Sequence, residues 1–104
     1  MGAAGREEQI IRESVAMLIR EFHPRRIYLF GSRAKHTAAA GADFDLAVEA
    51  PPPSTVQKSR AMDMLAGIAG LYSVNLVFLP EVDKGFRKIV VETGKVLYEQ
   101  DAQV

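Results

Sequence analysis

A chain of 104 residues has room for one domain over residues 1–104, with one core and one site. Its 48% hydrophobic and 25% charged residues suit a water-soluble globular fold and exclude a disordered or membrane-spanning composition. Lysine plus arginine equal aspartate plus glutamate at 13 each, so no net positive field gathers long nucleic acid, and with no cysteine neither disulfides nor thiolate metal ligands are open.

The opening MGAAGREEQ has no apolar leader-like run, and nothing later nears the roughly 20 apolar residues of a membrane helix, so a cytoplasmic setting is expected. Ile11, Val15, Leu18, Ile19 and Phe22 recur at helical spacing and predict a first helix over about 6–22. His23-Pro24 stops it, because proline has no N–H for the ladder and pushes the preceding residue out of the α region. Arg26 to Phe30 reads as a short buried strand ending in Gly31, and residues 33–42 as a helical turn and loop. Asp43 to Val48 is a second strand, followed by a stiff connector with three prolines. Ser54 and Gln57 have the form of a capping box ahead of a helix over about 55–70, whose inner face is Ala61, Met64, Leu65, Ile68 and Tyr72. Val74 to Leu79 is a third strand closed by Pro80. Val82, Phe86, Ile89, Val90 and Thr93 mark a further helix, with Gly94 at the place of a left-handed cap. Val96-Leu97-Tyr98 forms a last short strand. The expected class is α/β (α+β), a small mixed sheet of three to four strands packed with three main helices.

Chemistry concentrates between Leu29 and Val48. Gly31-Ser32, directly after a strand, presents backbone N–H groups and a hydroxyl suited to phosphate oxygens, although a Gly-Ser alone also serves as a tight turn and cap. Alternation along the second strand puts Asp43, Asp45 and Ala47 on one face and Phe44, Leu46 and Val48 on the core face. The two acids repel unless a cation lies between them, and hard carboxylate oxygens favour Mg²⁺ or Mn²⁺ together with substrate phosphates. For Arg33 two accounts stand side by side, a phosphate contact from the turn or an exposed arginine. His36 and Lys35 belong to the loop, with loop closure over a nucleotide set against plain solvation. His23, Arg25 and Arg26 read as surface charge, and Tyr72 and Tyr98 as core or edge packing. Glu81 and Asp83 read as first-turn acids of the last helix, suited to its dipole.

Hydrophobic-Gly31-Ser32-Arg33-Ala34, a loop of about ten residues, then Asp43-x-Asp45-Leu46-Ala47-Val48 resembles the signature of the minimal nucleotidyltransferase family, in the polymerase-β-like superfamily. The likeness continues through the Val74-Asn75-Leu76-Val77 strand to Lys95-Val96-Leu97-Tyr98-Glu99. It implies the nucleotidyltransferase fold and Mg²⁺-dependent transfer of a nucleoside monophosphate, AMP from ATP, to a hydroxyl. Asp43 and Asp45 would hold the metal and serve catalysis, while Gly31, Ser32 and Arg33 bind the nucleotide. Family members of this length pair with a HEPN-domain toxin and neutralise it, in some cases by adenylylating it, which would make this chain an antitoxin.

One position departs from the family pattern: Asn75 stands where the resemblance implies a third catalytic carboxylate. An amide carries no charge and cannot accept the hydroxyl proton. A weakened member that acts as a binding partner is therefore a second expectation. A phosphoaspartyl enzyme is a third, disfavoured because here the hydrophobic residues follow the acids. With no room for an acceptor-binding domain, a partner chain or a homodimer is expected to supply that side.

Overall fold

The computed structural model describes residues 3–35 and 41–100, so His36 lies outside the described residues. Helix α1 runs Ala3–Phe22, beginning earlier than the apolar periodicity indicates. It ends on His23, a left-handed residue at φ 48° whose N–H returns to Ile19 O at 2.9 Å, just ahead of Pro24.

Four strands follow: β1 Arg26–Phe30, β2 Phe44–Glu49, β3 Val74–Phe78 and β4 Lys95–Glu99, in the order β3-β2-β1-β4. β1 and β2 are antiparallel, with Leu29 opposite Leu46 and Phe30 opposite Asp45. β2 and β3 are parallel, with Asp45 opposite Asn75. A parallel step needs a crossover, supplied here by α2, Thr55–Ala69. The capping box expected at its start is present: Gln57 N–H donates to Ser54 Oγ at 3.1 Å, and Ser54 N–H to Gln57 Oε1 at 2.8 Å. Three helices on a four-stranded mixed sheet is the architecture the sequence predicts.

The sheet is covered on both faces. α1 and α2 bury Ile27, Leu29, Leu46, Val48, Leu76 and Phe78 on one side. On the other, α3 (Lys84–Thr93) packs on Tyr28, Ala47 and Leu79 through Val90. The face that carries the acids is thus itself core beyond Asp45, because Ala47 lies under the helix. Several local readings of this region are corrected. Asp83 precedes α3 as its N-cap, accepting from Gly85 and Phe86 N–H at 2.9 and 3.2 Å. Glu81 ends a 3-10 turn, Leu79–Glu81, and pairs with Lys58 at 3.2 Å. Ile89, expected on the packed face, is 57% exposed. Gly94 is extended at φ −76° instead of left-handed, and its lack of a side chain has a steric reason. A Cβ there would stand 2.5 Å from Val90 O and 3.2 Å from Leu29 O. Arg26 does more than carry surface charge, since it bridges Glu49 on β2 at 3.3 Å and Glu99 on β4 at 2.8 Å.

Candidate functional site

The antiparallel return from β1 to β2 brings Gly31 beside Asp45. Gly31 is left-handed at φ 75°, and a Cβ built on it would overlap the Asp45 Oδ2 atom. Both the turn and the carboxylate therefore require glycine at this point. Ser32 follows in a 3-10 turn, Gly31–Arg33, whose Ser32 O accepts from Lys35 N–H at 3.2 Å.

Asp45 lies inside β2, while Asp43 lies one residue before the strand begins. The parallel register then lays Asn75 alongside them. Its Nδ2 donates to Asp45 Oδ1 at 2.8 Å and to Asp43 Oδ2 at 3.4 Å. One atom within reach of an oxygen from each acid marks the point on which the two carboxylates converge. Asp43 and Asn75 are exposed and Asp45 is half-buried, so the group forms an open ledge at one end of the sheet. Among the described residues no set of three or more acids and histidines is placed for a metal, since the third position of this cluster is an amide. Two converging carboxylates still fit one hard divalent cation in place of the Asn75 Nδ2 between them, its remaining positions going to phosphate and water.

Arg33 does not lie exposed. Its Nε donates to Ala42 O at 3.0 Å and Asp43 O at 3.2 Å, Nη2 to Ala42 O at 2.6 Å, and Nη1 pairs with Glu7 Oε1 at 3.2 Å. The guanidinium lies 3.9 Å over the Phe44 ring, and its side chain is only 9% exposed. Glu7 and Tyr72, which meet at 3.4 Å and complete this arrangement, escape sequence reasoning because no periodicity links them to the loop. Tyr72 packs edge-on against Phe44 at 5.4 Å, as its reading as a packing residue requires. Two surface hollows, one between α1 and β4 and one between β1 and α3, are lined by neither acid nor by Asn75.

Residues 13–103 match the family profile for polymerase beta nucleotidyltransferases. No curated protein matches the chain. Among solved structures, a chain of a toxin–antitoxin complex with AMP-PNP is 29% identical, at TM-score 0.69, over 86% of this chain and 73% of that one. A chain of the complex between a tri-AMPylated Shewanella oneidensis HEPN toxin and an MNT antitoxin is 25% identical, at TM-score 0.60, over the same shares, 86% and 73%. A minimal nucleotidyltransferase at 24% identity and TM-score 0.67, covering 88% of both chains, shares the fold.

Proposed function

The chain belongs to the polymerase beta nucleotidyltransferase family, and from that premise we propose that it transfers AMP from ATP to a hydroxyl of a HEPN-domain toxin, neutralising it as an antitoxin. The observation that carries this reading is the convergence of Asp43 and Asp45 beside the Gly31-Ser32 turn. The complexes of its structural neighbours support the choice of nucleotide and partner.

In this reading the Gly31 and Ser32 backbone N–H groups and the Ser32 hydroxyl hold phosphate oxygens, and Asp43 and Asp45 hold Mg²⁺ or Mn²⁺. The cation, when bound, neutralises phosphate charge and orients the α-phosphorus. The toxin hydroxyl oxygen forms a bond to the α-phosphorus as the bond to the bridging oxygen breaks, and pyrophosphate leaves. Asn75 takes no part in accepting the hydroxyl proton, which passes to solvent or to one of the two acids. The ledge is open, so the partner supplies the acceptor side.

The Asn75 amide favours a second reading, a member with weakened turnover that masks its partner by contact. Intact-mass measurement of the candidate toxin after incubation with the chain, ATP and Mg²⁺ separates the two. A gain of one or more AMP, lost on replacing Asp43 and Asp45 by Ala, is the expected result. Neutralisation without any mass gain leaves only the contact reading.

A further inference from the structure

We propose that Arg33 is a positioning residue that holds the backbone of Asp43, and that its ion pair with Glu7 ties helix α1 to the carboxylate ledge; this rests on the reading of Asp43 and Asp45 as the cation and nucleotide site. The two acids are held by different means. Asp45 sits within β2 and has the sheet ladder on both sides, together with the Gly31 turn packed against its carboxylate. Asp43 precedes the strand and has no ladder partner in the register. Its carbonyl, and that of Ala42 before it, are taken by the Arg33 guanidinium at 2.6–3.2 Å.

The fork geometry is what makes this possible. A planar guanidinium serves two carbonyls from one edge and a carboxylate from another, while its face stacks on an aromatic ring. Arg33 does all of this at once, on Ala42, Asp43, Glu7 and Phe44, with every guanidinium nitrogen engaged inside the chain. A charge this far out of water needs its counter-ion, and Glu7 provides it. Glu7 is fixed in turn by the Tyr72 hydroxyl, while Phe44 N–H donates to Ser73 O at 2.9 Å. The residue between the two acids is thus pinned from both sides, and the spacing of the acids depends on a side chain that touches neither carboxylate.

Lysine has the charge of arginine without the fork, so Arg33→Lys in the full chain is the first variant and Glu7→Gln the second. Hydrogen exchange is measured at the Phe44 amide, which donates to Ser73 O, without metal, and Mn²⁺·ATP affinity by calorimetry. Both variants should speed exchange at this amide about ten-fold or more while α3 amides keep their rates. They should weaken Mn²⁺·ATP binding about ten-fold. In an Asp43→Ala background, Arg33→Lys should weaken it no further, a non-additivity that a merely structural role would not produce. Unchanged exchange at residue 44 overturns the proposal, as does faster exchange with full Mn²⁺·ATP affinity. If wild type binds no Mn²⁺·ATP, the nucleotide reading has failed, and the exchange rates alone decide whether Arg33 holds Asp43.

Discussion

Gly31 and Asp45 share one small volume: the left-handed turn brings the glycine so close that any side chain on it would displace the Asp45 carboxylate. Gly31→Ala should therefore cost about 1–3 kcal/mol of stability through backbone strain and displacement together. It should also abolish the metal dependence of ATP binding. Urea unfolding and calorimetry with Mg²⁺ or EDTA test both parts; wild-type stability in the variant would contradict the close approach.

Asn75 donates to both acids, and its replacement reverses the sign of that contact. Asn75→Asp should lower stability by about 1–2 kcal/mol without metal, because two hydrogen bonds become repulsion on an exposed ledge. Mg²⁺ should recover most of this loss, and AMP transfer to the toxin should rise. Melting with and without Mg²⁺, followed by transfer of labelled AMP, is the measurement. Identical melting in both conditions would remove Asn75 from the cation site.

Ser32 lies in the turn beside Asp45 and is assigned to phosphate oxygens. Ser32→Ala should weaken ATP binding roughly ten- to a hundred-fold, the worth of a hydrogen bond to a charged group. An ATP titration indistinguishable from wild type would return the Gly-Ser pair to a purely structural turn.

Tyr28 is 3% exposed beneath α3, and burial raises its phenol above the ordinary 10.0, with Arg26 pulling it down and Glu49 and Glu99 adding to the rise. Above pH 10 the unfolded chain releases this proton before the folded one, so the folded state binds more protons and stability falls as pH climbs. The loss stops once the folded phenol also ionises. The slope reaches at most about 1.4 kcal/mol per pH unit for one group. Tyr28→Phe should show a shallower decline between pH 10 and 11 in urea unfolding; parallel curves would contradict the assignment.

Much of this was legible in the residues because the signals are local. Ser54 and Gln57 mark a helix start by their own spacing, and Asp43 and Asp45 declare a shared face by alternation. Asn75 was joined to them only by the family resemblance, since the pattern of its own strand does not say which strand it pairs with. What escaped depends on contacts between distant segments. The inward turn of Arg33 is fixed by Glu7 on another element and by carbonyls, which have no sequence signature. The rotation of α3 is set by its Asp83 cap and by Val90 on Tyr28, which leaves Ile89 outside although its spacing matches the apolar stripe. Gly94 is a glycine for want of space against Val90 O and Leu29 O and not for its torsion.

The parallel pairing that sets Asp45 opposite Asn75 also bears on the order of events in time. The ledge does not exist until the segment through α2 has closed and β3 has docked, a non-local step that loop entropy makes slow. A ligand that needs the finished ledge stabilises the native state more than the barrier leading to it. Saturating Mg²⁺·ATP should then lengthen the lifetime of the folded chain while leaving its refolding rate almost untouched. Nucleotide supply would thus set how long the folded chain survives in a cell that degrades unfolded proteins.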